Sequence, residues 1–167
     1  ANVLVHEEGA AATAELVYRL AATLGAEISP EIAHCLFVAL HTDTGSFRYG
    51  AADRGAFIVA ERLMETGLDA WAITSAVYES RTLRSLRLLG RVLDGLEVSE
   101  CGRLATIVVT ESMLADTGTT LEDADGFINY ARSIRGVEVA AQLTATPAGH
   151  QKVSFRSRGN VDVSALA

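Results

Sequence analysis

A chain of 167 residues is long enough for one domain, or for two small domains with a modest shared core. Hydrophobic residues make up 49% of it and charged residues 21%, which is typical of a globular protein and excludes a disordered one. The net charge of −7 disfavours a protein that coats DNA, because such binding uses many phosphate contacts. It does not disfavour an enzyme that holds a small anionic nucleotide with a few arginines and metal ions.

The apolar runs are too short to span a membrane, and the N-terminal region lacks the basic start and long apolar stretch of a signal peptide. The lack of a signal-peptide pattern is uninformative if the given sequence starts inside a longer protein. Two cysteines, Cys35 and Cys101, show no disulfide or zinc spacing, and both fit a reducing compartment. The sequence therefore predicts a cytoplasmic protein that does not bind membranes.

Hydrophobic periodicity predicts five helices in the first 93 residues. Ser29, Asp53, Asp69 and Thr82 stand where a side-chain oxygen can cap a helix start. The predicted helices cover residues 10–24, 30–43, 53–67, a short segment from 69, and 83–93. The side chains predicted to form their apolar faces are Leu16, Val17, Leu20, Ala21 and Leu24; Ile32, Leu36, Phe37 and Leu40; Phe57, Ala60, Leu63 and Met64; Trp71, Val77 and Tyr78; and Leu86, Leu89 and Leu93.

After residue 95 the composition shifts toward strands, so the chain as a whole is predicted to be α/β. A hairpin is predicted from strands 96–100 and 103–109, and a short helix from 111–114. A longer helix is predicted at 123–134, with Phe127, Ile128, Ala131 and Ile134 on one face. Strand 137–144 is expected to turn Val137, Val139, Ala141 and Leu143 inward, before a turn at 147–149 and a last strand at 152–158.

One carboxylate, Asp43, stands where the second helix ends, among hydroxyls and two residues before Gly45. Glycine can take a positive φ and turn the chain sharply, so the acid can point away from the helix into a cleft. The hydroxyls of Thr42, Thr44 and Ser46 can bond the carboxylate or nearby amides and fix its direction. The pattern suits a metal-ligand loop, but an ordinary helix-ending turn uses the same residues.

Two histidines lie on this helix, and neither is a strong candidate ligand. His34 is interpreted as a surface or packed residue. His41 precedes Asp43 by two positions, and such neighbours do not share a helix face, so we expect it to lie away from the site.

The last strand concentrates positive charge in an acidic protein. Alternation places Val153 and Phe155 on one face and the polar residues Lys152, Ser154, Arg156 and Arg158 on the other. Arginine suits phosphate because its planar fork offers two parallel donors. A solvated strand face would look the same. Gln142 on another strand and Arg48 beyond the Asp43 loop are weaker candidates, and Arg48 could face a cleft between domains.

The segment Asp43-Thr44-Gly45-Ser46-Phe47 after an apolar helix resembles the last metal-binding motif of the DHH phosphoesterases. The chain is most similar to their nanoRNase/pAp-phosphatase group, which cuts very short RNAs and dephosphorylates 3'-phosphoadenosine-5'-phosphate (pAp). Further matching stretches occur in family order over nearly the whole chain: Ala11-Ala12-Thr13-Ala14-Glu15-Leu16-Val17, Gly136-Val137-Glu138-Val139-Ala140 and Val153-Ser154-Phe155-Arg156-Ser157-Arg158.

The departures from the family are equally informative. The Asp-His-His triplet, the earlier Asp and His ligands, and the Gly-Gly-Gly-His stretch expected after a segment like Val161-Asp162-Val163 are all absent from the sequence. The chain looks like the middle and rear of a larger enzyme, cut at both ends. Of the metal ligands, only Asp43 carries over.

The resemblance implies the rear of a DHH catalytic domain at 1–81, a linker helix at 82–95 and an incomplete substrate-binding domain at 96–167. It also implies two Mn²⁺ ions in the parent enzyme, with Mg²⁺ or Co²⁺ as substitutes, and leaves open a homodimer. Asp43 would ligate one ion, and substrate phosphates would meet Arg156, Arg158, Ser154, Arg48 and Gln142. The substrates would be short RNA, dinucleotides and pAp.

Two hypotheses follow. In the first, the parent protein is a metal-dependent phosphoesterase, with this fragment inactive alone because one aspartate cannot hold two ions. In the second, the chain is a catalytically silent nucleotide-binding module. Cyclic-dinucleotide phosphodiesterases and RecJ-like exonucleases of the same superfamily are further alternatives.

Overall fold

The computed structural model describes residues 4–49, 52–145, 151–159 and 161–166. The chain forms two compact units, Ala1–Ser80 and Arg81–Ala167. Within the described ranges it contains seven α-helices and a four-stranded mixed sheet, which confirms the α/β class. No helix in these ranges is both long and apolar enough to cross a membrane.

The described part of the first unit contains four helices, of which α2, α3 and α4 begin within one residue of the predicted start, whereas α1 begins three residues later than predicted. The side chains of Ser29, Asp53 and Asp69 accept hydrogen bonds from backbone N–H groups in the first turns of α2, α3 and α4. These bonds satisfy donors that a helix start leaves free. The helices are α1 (Thr13–Thr23), α2 (Pro30–Asp43), α3 (Arg54–Met64) and α4 (Ala70–Tyr78).

The core of the first unit differs from the predicted apolar faces. Leu36, Phe37, Leu40 and Leu63 are buried as expected, beside alanines on α1, α2 and α3 that allow close helix approach. The exposed side chains that were predicted to be covered are Val17, Leu20, Leu24, Ile32, Phe57, Met64, Trp71 and Tyr78. On α1 and α3 the buried stripe is displaced from the predicted one and includes Ala14 and Ala56, which periodicity alone could not show.

The second unit places its helices around a sheet. Its elements are α5 (Leu83–Asp94), β1 (Glu97–Val98), β2 (Leu104–Val109), α6 (Glu111–Thr117), a 3₁₀ turn (Leu121–Ala124), α7 (Ile128–Arg132), β3 (Val139–Ala145), β4 (Gln151–Ser157) and a second 3₁₀ turn (Val163–Leu166). The helix predicted at 123–134 is wrong as a continuous element. Gly126 has a φ of 76° and separates the first 3₁₀ turn from α7. The turn predicted at 147–149 lies outside the described residues.

The sheet has the order β1-β2-β3-β4. β1 and β2 form the predicted antiparallel hairpin, β2 and β3 are parallel across the α6–α7 connection, and β3 and β4 are antiparallel. Ala105 pairs with Ala140, and Ile107 pairs with Gln142, so these four residues share one face. Residues of this face pack in a core with side chains of α5 and α7, which makes it the helix-covered face of the sheet.

Two apolar faces in this unit were assigned incorrectly. On α5 Leu89 is buried as expected, but the other buried apolar residues are Leu88 and Val92, whereas Leu86 is 48% exposed. On β3 the helix-covered face carries Ala140 rather than its neighbours Val139 and Ala141. Val137 is buried as expected, but it precedes the strand and does not set its alternation.

The α5 correction can be tested with two leucines on one helix. Leu88→Ala should lower the free energy of unfolding by about 2–5 kcal/mol, because it removes a fully buried side chain from a packed core. Leu86→Ala is the matched control and should cost under about 1 kcal/mol, because Leu86 is half exposed. Urea unfolding followed by circular dichroism measures both. A larger loss for Leu86→Ala than for Leu88→Ala would restore the original face.

Candidate functional site

Asp43 is the last residue of α2, as the sequence predicts, and its side chain is exposed. Its carboxylate makes no hydrogen bond or ion pair to any residue that the structure describes. An exposed carboxylate with no partner at a helix end is free to accept a cation or a donor from a ligand.

The backbone that follows Asp43 is strained. Gly45, Ser46 and Phe47 are three consecutive residues in the left-handed region, with φ values of 57°, 61° and 57°. A β-carbon at Gly45 would overlap the ring of Tyr49, so glycine is required there for space as well as for φ. Serine and phenylalanine each cost on the order of 1–3 kcal/mol in this region, and such residues cluster at functional sites.

The hydroxyls of this segment organise its backbone and do not contact the carboxylate. Thr44 is fully buried; its Oγ1 donates to Leu40 O at 2.7 Å and accepts from Phe47 N–H at 3.1 Å. Ser46 N–H donates to His41 O at 2.8 Å. Arg48 folds back onto the same turn, where its Nε donates to Gly45 O at 2.7 Å. Of the two roles that the sequence allows for these hydroxyls, the structure shows amide bonding, and only at Thr44; Thr42 Oγ1 donates to carbonyls of α2, and Ser46 Oγ lies beside His41 Nε2.

His41 lies behind this loop in an aromatic cluster. Its ring is 6% exposed, stacks on Phe37 at 5.5 Å between centroids, and meets Tyr78 edge-on at 5.4 Å. Burial lowers the pKa of His41, and the positive charge of Arg48 lowers it further. Sequence reasoning missed this burial. The signal was present, since Ala33, Leu36, Phe37, Leu40 and His41 form one continuous buried stripe on α2. His34, outside that stripe, is exposed as expected.

Asp43 fits a metal site as a single ligand of a larger set. No group of three or more His, Cys, Asp or Glu side chains is arranged to hold a metal ion within the described ranges. Within these ranges Asp43 could therefore supply one oxygen ligand to a cation, but not a multi-residue site.

The second unit holds the polar residues predicted to bind substrate. We use "polar row" for Gln142, Lys152, Ser154 and Arg156. Register places Gln142 opposite Ser154, Thr144 opposite Lys152, and Ala140 opposite Arg156, so the row lies on the helix-covered face at the β3–β4 edge. Lys152 and Arg156 are nevertheless exposed. The sequence placed Lys152, Ser154 and Arg156 together on one strand face but could not show that Gln142 of the neighbouring strand lies beside them.

Two members of the row already have a weak or local partner. Arg156 donates from Nη1 to the neighbouring Phe155 O at 2.9 Å, and Gln142 Nε2 lies 3.4 Å from Thr144 Oγ1. Lys152 and Ser154 have no side-chain partner among the residues described. The row therefore presents donors that a phosphate or nucleotide oxygen could accept.

Arg158 differs from Arg156, although the sequence treats the two alike. Its Nε and Nη2 donate to Arg132 O and Ser133 O, each at 3.1 Å. These carbonyls belong to the C-terminal turn of α7, where free acceptors need donors. Arg158 thus caps a helix.

The face of the sheet opposite the helices carries Val153 and Phe155. Val153 and Phe155 do lie together on one face, but Val153 is 45% exposed and the core is on the other side. A shallow trough of about 300 Å³ opens on this face, beside the Arg103–Glu138 ion pair at 2.7 Å. The predicted alternation of β4 is therefore confirmed, and the helix-covered core lies on the face that carries Lys152, Ser154 and Arg156.

Comparison with known proteins identifies relatives, although no family model matches the chain. The chain is 33% identical over 157 residues to the bifunctional oligoribonuclease and PAP phosphatase NrnA of Thermus thermophilus. That alignment covers 94% of this chain and 46% of the relative, so the chain spans about half of the curated protein it matches.

A solved structure matches over nearly the same share of the chain. An exopolyphosphatase-related protein from Bacteroides fragilis matches with a TM-score of 0.91 and 30% sequence identity. The match covers 97% of this chain and 48% of that one. The sequence and structural matches confirm the resemblance recognised from the motifs: the chain is similar to DHH-family phosphoesterases of the nanoRNase/pAp-phosphatase group.

Proposed function

We propose that this chain is part of a Mn²⁺-dependent phosphoesterase that hydrolyses short oligoribonucleotides and pAp. Its similarity to a bifunctional oligoribonuclease and PAP phosphatase, over nearly its whole length, supports the substrate class. The observation that carries the proposal is the exposed, unpartnered Asp43 carboxylate on a strained loop at a helix end. A carboxylate without a structural partner, next to backbone that costs stability, indicates a functional constraint.

In this proposal Asp43 supplies one metal ligand and the remaining ligands come from outside the described residues. Bound Mn²⁺ ions would activate water and stabilise the charge that gathers on the phosphoryl oxygens. The loop bonds made by Thr44, Ser46 and Arg48 would keep the carboxylate at the end of α2 in a constant setting. Because the loop would already be folded before metal binds, binding would cost less conformational entropy.

The polar row would hold the nucleotide phosphate. Arg156 is exposed and can offer its planar fork to a phosphate, while Ser154 and Lys152 add donors on the same face. Arg158 has a smaller share in this proposal, because two of its donors already cap α7.

The second candidate function is a nucleotide-binding module without catalysis. It is favoured by the lack of a multi-residue metal cluster in the part of the chain that the structure describes. Both functions use the polar row, so only hydrolysis separates them.

The chain of 167 residues should not hydrolyse pAp or a dinucleotide when Mn²⁺ is added. One carboxylate does not hold the two ions that the reaction needs. The measurement is phosphate or mononucleotide release by the purified chain. Robust metal-dependent release, abolished by a chelator, would show that the chain carries a complete site.

Asp43→Asn should abolish turnover in a polypeptide that joins this chain to the remaining metal ligands. Asparagine keeps the shape of the side chain and removes the charge that binds the cation. The free energy of unfolding should change by under about 0.5 kcal/mol, since the carboxylate has no partner to lose. Glu61→Gln, another exposed acid of the first unit, is the control and should leave turnover unchanged. Near-normal turnover of Asp43→Asn at limiting Mn²⁺ would make Asp43 a turn residue only.

Arg156→Ala and Arg158→Ala should separate binding from stability. Arg156→Ala should weaken pAp binding by on the order of 2–3 kcal/mol, or roughly 30- to 150-fold, without lowering the urea midpoint. Arg158→Ala should lower the free energy of unfolding by about 1 kcal/mol, because two α7 carbonyls lose their donor. Calorimetric titration and urea unfolding of this chain measure both. An unchanged affinity in Arg156→Ala rejects its role in phosphate binding.

A further inference from the structure

The ring of His41 joins the loop after Asp43 to helix α4. Its Nε2 lies 3.3 Å from Ser46 Oγ on the loop and 3.3 Å from Thr74 Oγ1 on α4. The ring centroid lies 5.9 Å from that of Phe47, the second strained residue with a side chain. Both residues that carry a β-carbon in the left-handed region therefore touch the same imidazole.

The hydrogen on this ring can be placed by counting donors. Thr74 Oγ1 lies 2.7 Å from Ala70 O and gives its one hydrogen to that carbonyl. Thr74 can then only accept from His41, so the hydrogen is on Nε2. His41 Nδ1 is buried without a partner among the described residues. A hydrogen there would be a buried unsatisfied donor, which is costly, so Nδ1 carries only its lone pair.

This tautomer gives the ring a direction. The Nε2–H points toward the hydroxyls of Ser46 and Thr74, while the ring faces pack against Phe37 and its edge contacts include Tyr78. Ser46 at a positive φ would otherwise relax toward a less strained backbone. A bond from a buried, closely packed ring is a restraint on that relaxation, because the ring itself has little freedom to follow.

We propose that His41 is a positioning residue, whose Nε2–H holds the left-handed loop next to Asp43 against α4. In this role His41 bonds the loop and α4, and it does not itself bind metal or substrate. An effect of this restraint on metal binding by Asp43 would rest on the proposed function. The restraint on the loop itself does not rest on it.

Two substitutions at His41 separate its hydrogen bond from its packing. His41→Phe keeps an aromatic ring among Phe37, Phe47 and Tyr78 but removes the donor. His41→Gln removes the ring and returns an amide N–H at about the position of Nε2. If the hydrogen bond holds the loop, His41→Phe should speed amide hydrogen exchange at Ser46, Phe47 and Arg48 about 3- to 10-fold, and His41→Gln should restore much of the protection.

Thr74→Val removes the α4 partner with little change of shape and should loosen the same three amides. Adding it to His41→Phe should give no further increase, because both changes break one connection. Thr66→Val is the matched control. Thr66 Oγ1 also bonds a backbone carbonyl, Leu63 O at 2.7 Å, but does not touch His41, so loop exchange should stay unchanged.

Nitrogen NMR of His41 in the unsubstituted chain checks the tautomer directly, with the Nδ1 signal at the position of an unprotonated imidazole nitrogen. A protonated Nδ1 at neutral pH would overturn the donor assignment. Unaltered loop exchange in both His41→Phe and Thr74→Val would overturn the restraint. These measurements use the metal-free chain, so they fail or succeed independently of the phosphoesterase proposal.

Discussion

The buried hydroxyl of Thr44 is the interaction on which the candidate metal loop depends. It gives its hydrogen to Leu40 O and accepts one from Phe47 N–H, so a single atom ends α2 and holds the first turn of the loop. The helix can then stop directly after Asp43, with the carboxylate outside the core and the strained residues behind it. A side chain without this hydroxyl would leave Phe47 N–H without its acceptor, whereas Leu40 O would still accept from Thr44 N–H.

Strand register has the same organising role in the second unit. The polar row is contiguous only because β3 and β4 pair with Gln142 opposite Ser154. A slip of β4 by one residue would turn Lys152, Ser154 and Arg156 to the other face, away from Gln142, and would turn Val153 and Phe155 toward the helices. The row and the apolar trough are thus two results of one register, and the identity of the covered face decides which of them borders the core.

Sequence reasoning located what depends on local chemistry. The end of α2 at Asp43, the caps at Ser29, Asp53 and Asp69, and the alternation along β4 all follow from a few neighbouring residues, and the structure agrees.

The sequence could not predict the roles of residues whose partners are distant along the chain. Trp71 and Ile32 have a helical spacing that is correct for burial, yet α4 buries Ile73 and α2 buries the stripe that starts at Ala33. Arg156 and Arg158 lie at alternate positions of one chain segment, and only the position of α7 makes Arg158 a helix cap while Arg156 bonds just the neighbouring Phe155 O. The sequence analysis placed His41 away from the site because it lies on a different helix face from Asp43. Its ring instead reaches the loop through Ser46 and reaches α4 through Thr74.

The exposure of Trp71 has a practical consequence for spectroscopy. It is the only tryptophan in the chain and is 70% exposed on α4. Indole emission shifts to longer wavelength in water, so the folded chain should already emit like a solvated tryptophan and change little on unfolding. A bound partner or chain segment that covered α4 would shift that emission to shorter wavelength. The fluorescence of this protein is therefore a sensor for contacts made by the surface of its first unit, and a far weaker measure of its folded fraction.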